Sequence, residues 1–374
     1  MFGAEQVLLS DNGHDVVEYM RNNLEIESYP LYKKALLFKT TTWSKKSYKE
    51  VRALCLRQKP DVAHFHNTLP LVTPSAYYAC RDEGIPVVQT LHNYRLICPG
   101  ALLMHNAQVC EKCIDGSYRH AIRNKCYRDS RIQTWTVARM LKYHRKIATW
   151  KNIVNRYIAL NEFSKRKYVE GGLPEYKISV KPNFAYDLKK IGGDHGFAIY
   201  LGRLSQEKGV SVLLDAMRGL PGFPLKIIGD GPDKELLESK NSNYNNIEFS
   251  GKLGHDEVMG AIEKCSFIVV PSLWYENFPM TIVEAFSCGK PVIVSRIGAL
   301  EGIIEDGKTG LHFEPGNARD LAKKIEWMVD NPLERKRMGE NARRVYKEKY
   351  TPERSYEMLM DIYSQAISDV KNNA

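Results

Sequence analysis

From residue 195 onward, short runs of β-branched and aromatic residues alternate with amphipathic windows of helical length. Strands that alternate with helices in this way are typical of βαβ units, which build a parallel sheet covered by helices. We therefore predict a doubly wound α/β domain over residues 187–351. The predicted strands are GFAIYLG, PLKIIGDG, NIEFSGKL, SFIVVPS, KPVIVS and GLHF.

The first half of the chain has a looser version of the same pattern, and we predict another α/β domain over residues 1–186. Its predicted strands are HDVVEYM, DVAHFHN, IPVVQTLHN and RYIALNE, with TPSAYYACRDEG as a helix between the second and the third. The Pro- and Gly-marked stretch EYKISVKPNFAYDLKKIGGDHG links the two halves. The amphipathic residues 352–374 are expected to form a helix that packs back toward the first domain.

The start of the chain departs from the doubly wound pattern. Such a domain opens with a central strand and a Gly-rich turn before its first helix. This chain begins with MFGAEQVLLSDNGHDVV, which lies near or inside that helix, and no run before Gly13 is typical of a strand. We therefore expect an incomplete N-terminus and a first domain that lacks its central strand.

Charge is distributed unevenly between the halves. The chain carries 54 Lys and Arg against 44 Asp and Glu, and the excess lies in residues 1–185. The densest part, residues 112–151, interleaves basic residues with Trp135, Tyr143 and Trp150. A solvated helix face, a surface for an anionic membrane or a phosphate-bearing substrate, and a nucleic-acid site all fit this pattern. We favour the second interpretation.

Targeting signals are not evident in the sequence. No run approaches the roughly 20 apolar residues that a membrane-spanning helix needs, and the N-terminus has no basic head followed by an apolar segment. We expect a cytoplasmic protein that associates peripherally with the inner face of the cell membrane through its basic half. In that compartment the eight cysteines are expected to stay reduced.

Polar residues of the second half cluster where predicted strands end. The loop GRLSQEKG follows FAIYL and carries Arg203 and Lys208, and two cations near a helix N-terminus suit a diphosphate. In PSLWYENFPMTIVEAF, Glu276 lies in the loop after a strand and Glu284 lies in the following helix. Because the carboxyl ends of parallel strands share one edge of a sheet, these side chains are expected to border one crevice.

Two motifs that would indicate other chemistry are missing from the sequence. The three-glycine fingerprint that binds dinucleotides is not found, which argues against a hydride-transfer enzyme. No Asp-x-Asp motif for a metal ion occurs either. Since Arg203 and Lys208 can neutralise a diphosphate, we expect catalysis to need no divalent cation and no other cofactor.

The motifs of the second half resemble the donor half of the family 4 retaining glycosyltransferases, which have GT-B architecture. In order, these motifs are GRLSQEKG, IIGDGP, FSGKL and PSLWYENFPMTIVEAFSCGKPVIVSRIGALEGIIEDGKTGLHFEPGN. The first half is similar to the bacterial branch of that family that builds surface polysaccharides, in GHDVVEYMRNN, PDVAHFHNTLPLVTPSAYYAC, IPVVQTLHNYRLICP and ALNEFSKRKYVEGGLPEYKISVKPNF. The resemblance implies two Rossmann-like domains facing a cleft, the first binding the acceptor and the second the donor.

The resemblance also implies a hexosyltransferase. It would move a sugar from a nucleotide diphosphate sugar, with UDP preferred to GDP, to a hydroxyl of a glycan or lipid-linked acceptor in surface polysaccharide synthesis. Arg203 and Lys208 would neutralise the diphosphate, and Glu284 would bind the ribose. No carboxylate is placed as an obvious nucleophile for a double displacement. We therefore favour departure and attack on the same face of the sugar, with the leaving phosphate helping to deprotonate the acceptor.

The donor site implied by the resemblance departs from the family at one point. The family usually has glycine and phenylalanine after its first glutamate, whereas this chain has Asn277, Phe278 and Pro279, and proline lacks an N–H donor. The catalytic set is expected to be His92, Arg203, Lys208 and Glu276. The further donor contacts are expected to be Gly202, Gly229, Asn277, Phe278, Pro279 and Glu284.

His92 matches the position where the family has a histidine that faces the donor sugar. It ends the predicted strand IPVVQTLHN, where side chains reach the crevice edge of a parallel sheet. A packing role for a lone histidine is the alternative. The acceptor side is expected to include His66, Asn67 and Asn93.

Four cysteines fall in the segment that follows His92. The C-x-x-C pair and its two flanking cysteines match tetrahedral zinc in number, although the outer spacings are not those of a standard finger. Structural zinc, ordinary thiols in a mobile acceptor loop, and a disulfide or redox role all stay open. The candidate ligands are Cys98, Cys110, Cys113 and Cys126.

Two other functions remain open at this point. A nucleotide-sugar epimerase shares the two-domain architecture and a diphosphate site, but would need no acceptor surface. An inactive homologue that only binds nucleotide is the other reading, and an absent N-terminal strand would favour it. Nucleic-acid binding is not expected, because the second half is typical of a donor-binding domain.

Overall fold

The computed structural model describes residues 1–187 and 193–372. These residues form two compact units. The first contains residues 1–105, 110–181 and 356–372, and the second contains residues 106–109, 182–187 and 193–355. Residues 188–192 of the predicted link and the last two residues of the predicted C-terminal helix lie outside the described part of the chain.

The described strands are short, and most of the helices have fewer than four turns. The strands are β1 (Ala63–Phe65), β2 (Val87–Thr90), β3 (Met104–His105), β4 (Gln108–Val109), β5 (Arg156–Ala159), β6 (Ile178–Val180), β7 (Ala198–Leu201), β8 (Leu225–Ile228), β9 (Ile247–Gly251), β10 (Phe267–Val270), β11 (Val292–Ser295) and β12 (Gly310–Phe313). The helices are α1 (Phe2–Asp11), α2 (Leu31–Thr40), α3 (Lys45–Gln58), α4 (Ser75–Asp82), α5 (Arg119–Arg123), α6 (Arg131–Lys146), α7 (Thr149–Asn152), α8 (Glu162–Glu170), α9 (Val210–Met217), α10 (Lys234–Asn241), α11 (His255–Lys264), α12 (Met280–Ser287), α13 (Ala299–Ile303), α14 (Ala318–Asp330), α15 (Pro332–Lys349) and α16 (Pro352–Lys371).

The first unit is built on a four-stranded parallel sheet with the order β1-β2-β5-β6. Strands β1, β2 and β5 confirm three of the predicted strands, and α4 confirms the helix between the first two. Strand β6 lies inside the segment predicted as a link. Residues of α16 pack on this sheet, since Leu359 and Ile362 share a core with Val88 and Ile158.

The second unit is built on a six-stranded parallel sheet with the order β12-β11-β10-β7-β8-β9. All six strands predicted for this half are confirmed. Except on the edge strand β9, where Ile247 and Phe249 are partly buried, their β-branched and aromatic side chains are almost wholly buried, as expected for a parallel sheet covered on both faces. The chain therefore has the doubly wound α/β organisation that the sequence indicates.

The prediction of a strand at HDVVEYM is wrong. Residues 14–20 have no regular structure, and Val17 and Met20 are exposed. A strand is stable only where a neighbour satisfies its N–H and C=O groups, and the described residues 1–62 place no strand beside β1. As expected, residues 2–11 form a helix, and none of the described residues before Gly13 forms a strand.

Helix α1 carries a buried acid into the first unit. Lys181, which follows β6, donates from Nζ to Glu5 Oε1 at 2.6 Å, and both side chains are at most 5% exposed. Burial opposes ionisation of Glu5, but Lys181 and nearby histidines outweigh it and lower the pKa of Glu5 to about 2. The pair is therefore ionised at neutral pH, and each charge depends on the other.

The first unit also contains one buried histidine, His144, and three that are partly buried, His64, His66 and His92. Burial, which disfavours the charged imidazole, is the main cause of a lowered pKa at each of them. The pKa falls from 6.5 to about 4 at His64 and His92, to about 3 at His66, and to about 4 at His144. All four are therefore neutral at pH 7.

We expect Lys181→Met to lower the free energy of unfolding of the first unit by about 3–5 kcal/mol, because it leaves Glu5 as a buried, unpaired charge. The double variant Glu5→Gln/Lys181→Met removes both charges and should recover most of that loss. Chemical denaturation of the two variants and the parent protein measures the difference. A double variant as unstable as Lys181→Met would contradict this account of the pair.

We expect the first unit to lose stability as the pH falls from about 6.5 to about 4. In that window the unfolded chain binds protons at histidines that the folded state keeps neutral, so unfolding becomes more favourable. A pKa lowered from 6.5 to about 4 corresponds to roughly 3 kcal/mol for each histidine. Glu5 adds a further loss as the pH falls from 4.5 toward about 2. Thermal unfolding at pH 7.5, 6 and 5 measures this effect. The same unfolding temperature for the first unit at pH 7.5 and at pH 5 would contradict the expectation.

Candidate functional site

The second sheet reverses its strand order between β7 and β10. These strands are neighbours, with β8 and β9 continuing on one side and β11 and β12 on the other. The loops that leave β7 and β10 therefore diverge to opposite faces of the sheet, which opens a crevice at their carboxyl ends. The loops are residues 202–209 and 271–279, and they contain the predicted cations and the first predicted glutamate.

Glycines allow the loops at this edge to pack backbone against backbone. Gly209 has φ +67°, and a Cβ there would lie 2.0 Å from Pro271 O in the neighbouring loop. Gly229 has φ +146°, and a Cβ there would lie 1.8 Å from Gly202 O. Larger residues cannot occupy these positions without moving the loops apart. Two predicted donor-site glycines, Gly202 and Gly229, thus bring the ends of β7 and β8 together.

Lys208 and Glu276 join the two loops across the switch point. Lys208 Nζ donates to Glu276 Oε1 at 2.7 Å, and Ser272 Oγ donates to the same oxygen at 2.7 Å. The Lys208 ammonium also lies 5.4 Å from the centre of the Trp274 ring. Glu276 is only 4% exposed, so this ion pair and hydrogen bond compensate for its burial.

Arg203 and Glu284 are placed differently from that pair. Arg203 is exposed, and within the described residues its guanidinium forms no hydrogen bond or ion pair. Glu284, in the second turn of α12, is partly buried, and burial raises the pKa of its carboxyl. No hydrogen bond to that carboxylate is formed within the described part of the chain. A half-buried carboxylate without a donor is poorly solvated, and a ligand hydroxyl would satisfy it.

Helix α12 begins at Met280, directly after Pro279. Pro279 has an extended backbone and stands just before the helix, so the N–H groups of the first turn start at Met280. The missing N–H of proline therefore does not remove a donor from the helix itself. Phe278 anchors this end, because its ring packs edge-on against Tyr350 at 5.8 Å, and Asn277 beside it is buried.

The predicted residues of the first half meet in a cavity of the first unit. His66 follows β1 and His92 follows β2, and these parallel strands are paired. His66 Nδ1 lies 2.7 Å from His92 Nε2, and Asn93 Nδ2 donates to Asn67 Oδ1 at 3.2 Å. The cavity has a volume of 240 Å³, and these four residues contribute to its lining.

The four cysteines of the predicted zinc site lie in the first unit as free thiols. Burial and the neighbouring cysteines raise the pKa of Cys113 to about 12 and that of Cys126 to about 11. Within the described residues, three or more ligand atoms lie within 4.8 Å of one another only at Glu5, His64 and His66. The thiols would have to approach further to form a tetrahedral site, and zinc there stays a prediction.

Several polar residues of the site were not anticipated from the sequence. Ser272 and Trp274 lie in the PSLWYEN loop, whose composition alone does not distinguish a partner of Glu276 from a packing residue. Glu5 and Lys181 are separated by 176 positions, so no local pattern connects them. The sequence indicated a special role for Glu5 only by placing one acid in the first turn of α1, where the preceding residues are uncharged.

Two family models together account for most of the chain. Residues 7–185 match the model described as Glycosyltransferase Family 4, and residues 188–345 match the model described as Glycosyl transferases group 1. Each model corresponds to one half of the sequence. The two matches therefore agree with the division of the fold into two α/β units.

Individual proteins are similar over most of their length. An uncharacterized glycosyltransferase of Methanocaldococcus jannaschii is 28% identical over 91% of this chain and 93% of its own. The alpha-monoglucosyldiacylglycerol synthase of Acholeplasma laidlawii is 25% identical over 79% of this chain and 72% of its own. The structure of Anabaena HepE in complex with UDP and glucose is similar with a TM-score of 0.62 and 16% identity, over 96% of this chain and 88% of that one.

These findings separate the alternatives that the sequence left open. The family models and the named relatives are glycosyltransferases, which supports the favoured glycosyltransferase over the alternative epimerase. The structural likeness supports the same architecture of two α/β units. The chain is a glycosyltransferase with the GT-B fold.

Proposed function

We propose that the protein transfers a sugar from a nucleotide diphosphate sugar to an acceptor hydroxyl with retention of the anomeric configuration. The observation that carries this proposal is the Lys208–Glu276 pair at the switch point of the second sheet, beside an Arg203 that has no ion-pair partner among the described residues. A cation that is already held in place and a second one left available suit a ligand with two phosphates.

The leaving diphosphate is the group that most needs stabilisation. Negative charge develops on it as the bond to the sugar breaks, and fixed positive groups lower the energy of that state. Lys208 has three N–H donors and can contact a phosphate oxygen while it keeps its bond to Glu276. Arg203 offers a planar pair of donors to the same diphosphate. The first N–H groups of α12 add a partial positive charge.

The carboxylates of Glu276 and Glu284 would accept hydrogen bonds from hydroxyl groups of the donor. Glu284 is partly buried and lacks a donor among the described residues, so ribose hydroxyls would satisfy it. Glu276 and the backbone of residues 277–279 would bind the sugar and the distal phosphate. The close approach of the Gly202 and Gly229 backbones holds together the loop ends that would border the nucleotide.

Retention of configuration follows from the arrangement that we favour. The bond between the anomeric carbon and the diphosphate oxygen breaks, and the acceptor oxygen bonds to that carbon on the same face. The acceptor proton moves to an oxygen of the leaving phosphate, so no protein carboxylate has to act as a nucleophile. His92, Asn67 and Asn93 would bind hydroxyl groups of a substrate in the first-unit cavity, which His66 also lines.

UDP is the nucleotide that we propose, with GDP as the second candidate. The similar structure of Anabaena HepE contains UDP and glucose. We propose a glycan or lipid-linked acceptor in surface polysaccharide synthesis. The alpha-monoglucosyldiacylglycerol synthase is a relative whose name indicates a lipid product.

Helices α2 and α6 together carry apolar and basic side chains that suit a membrane surface. The helices are neighbours, since Arg139 on α6 donates to Phe38 O on α2 at 2.9 Å. Leu31 is 85% exposed and Ile132 is 75% exposed. No helix in the described residues is both long and apolar enough to cross a bilayer. On the basis of the exposed apolar and basic side chains, we propose peripheral association. This α2/α6 surface consists of Leu31, Tyr32, Leu36, Ile132, Trp135 and Tyr143, with Lys33, Lys34, Arg131 and Lys142 beside them.

We expect a UDP-sugar to raise the thermal stability of the protein and to be turned over in the presence of EDTA. Arg203→Ala and Glu284→Ala should each weaken binding about 10- to 100-fold, since a hydrogen bond to a charged group contributes about 1.5–3 kcal/mol. Arg218→Ala is the matched control, because Arg218 pairs with Asp215 at the far end of α9. A thermal-shift panel of nucleotide-sugars, followed by NMR of the product's anomeric proton, measures these effects. No response to any nucleotide-sugar, or an inverted product, would contradict the proposal.

We expect the protein to bind vesicles that contain phosphatidylglycerol more tightly than vesicles of phosphatidylcholine alone. The double variant Leu31→Ser/Ile132→Ser should reduce that binding severalfold. Leucine and isoleucine gain free energy when they are buried in the headgroup region, and serine does not. Leu333→Ser removes an equally exposed leucine from the second unit and serves as the control. Co-sedimentation measures binding. Equal binding of both vesicle types, or equal effects of the two changes, would rule out this surface.

A further inference from the structure

A buried row of polar groups lies behind His92. Lys181 Nζ donates to Glu5 Oε1 at 2.6 Å, Glu5 Oε2 lies 3.4 Å from His66 Nε2, and His66 Nδ1 lies 2.7 Å from His92 Nε2. Glu5 Oε2 is buried and accepts no hydrogen bond of standard geometry within the described residues. A small approach of His66 Nε2–H would therefore give this oxygen a hydrogen bond.

The charges in this row decide where the imidazole protons lie. Glu5 is ionised and can only accept, so the proton of His66 belongs on Nε2, which faces the carboxylate. His66 Nδ1 then carries a lone pair and accepts from His92 Nε2–H. His92 Nδ1 is left unprotonated, and among the described residues it has no hydrogen-bond partner.

The ring of His66 has little freedom to turn. It packs edge-on against Phe2 at 5.1 Å, and its centre lies 4.5 Å from the His64 ring and 5.0 Å from the His92 ring. His64 itself is held on both nitrogens, by Tyr363 OH at 2.8 Å and Thr90 Oγ1 at 2.7 Å. His64 therefore supports His66 from the side and does not compete for its protons.

A metal ion is the other reading of these side chains. The ligand atoms of Glu5, His64 and His66 lie within 4.8 Å of one another. However, the Lys181 ammonium already neutralises Glu5 and would repel a cation. Both nitrogens of His64 are also engaged in hydrogen bonds. The charges and hydrogen bonds therefore favour a proton-fixing role over a metal site.

We propose that Glu5 and His66 are positioning residues that hold His92 neutral and protonated on Nε2, so that its Nδ1 accepts a hydrogen bond from a substrate hydroxyl. This inference rests on the proposed transferase function. Lys181 contributes by keeping Glu5 ionised. The row thus extends the site from His92 at the cavity to a helix residue near the start of the chain.

Two variants of similar shape test the role of His66. His66→Asn keeps an oxygen that can accept from His92 Nε2–H, whereas His66→Leu removes the acceptor. We expect kcat/KM to fall about tenfold or more in His66→Leu, because a buried donor is left unsatisfied, and to stay within severalfold of the parent in His66→Asn. Equal losses in the two variants, at similar thermal stability, would overturn the proposal.

The protonation of His92 is measured independently of activity. In the protein labelled with ¹⁵N-histidine, we expect two-bond ¹H–¹⁵N correlations to place the His92 proton on Nε2 at pH 7. The double variant Glu5→Gln/Lys181→Met should lose this single tautomer, because a neutral amide can donate or accept. A proton on Nδ1, a charged His92, or an unchanged tautomer in the double variant would overturn the proposal.

The two proposals fail in distinguishable ways. A parent protein that turns over no nucleotide-sugar, yet shows His92 protonated on Nε2, contradicts the function and leaves the histidine geometry supported. An active parent whose His92 has the other tautomer contradicts the positioning role alone. Loss of the His66 and His92 signals on addition of Co²⁺, or their shift on addition of Zn²⁺, would favour the metal site and overturn the positioning role.

Discussion

The pairing of β7 with β10 is the constraint on which the second unit depends. The chain continues from β7 to β8 in one direction across the sheet and from β10 to β11 in the other. The loops that follow β7 and β10 therefore separate and leave a crevice. The loops can meet only where glycine allows it, and Gly209 and Gly229 have positive φ at the two closest approaches. Lys208 and Glu276 then join the two loops through an ion pair in which the carboxylate is buried and the ammonium is partly buried. Strand order, loop chemistry and charge placement thus have one physical origin.

The first unit uses buried charge in a different way. Its sheet has four described strands, and an ionised pair, Glu5 with Lys181, is packed close to His64 and His66. A buried pair of this kind contributes little net stability compared with apolar residues of the same size. Its role here is to fix the positions of the protons on the neutral imidazoles beside it. When the pH falls far enough to protonate these histidines, the stability of the first unit and the protonation state of His92 therefore change together.

The sequence predicted the second half better than the first, and the reason is physical. Strands buried on both faces are continuous apolar runs between turn residues, so strands such as β7, β10 and β11 can be recognised from their own composition. The run HDVVEYM also contains β-branched and aromatic residues, mixed with charged ones, but forms no strand, since pairing depends on a neighbour that local composition does not report. The grouping of His66, Asn67, His92 and Asn93 was predictable, because parallel strands end at a common edge. The Glu5–Lys181 pair was not, because its members meet only through the tertiary fold.

We propose that the crevice between β7 and β10 binds a diphosphate through Arg203 and Lys208. The most direct measurement is the difference between the affinities for UDP and for UMP, determined by calorimetry for the parent protein and for Arg203→Ala. We expect UDP to bind the parent protein at least about tenfold more tightly than UMP, and we expect most of this difference to disappear in the variant. Equal affinities of the parent for UDP and UMP, or an advantage that Arg203→Ala leaves intact, would contradict it.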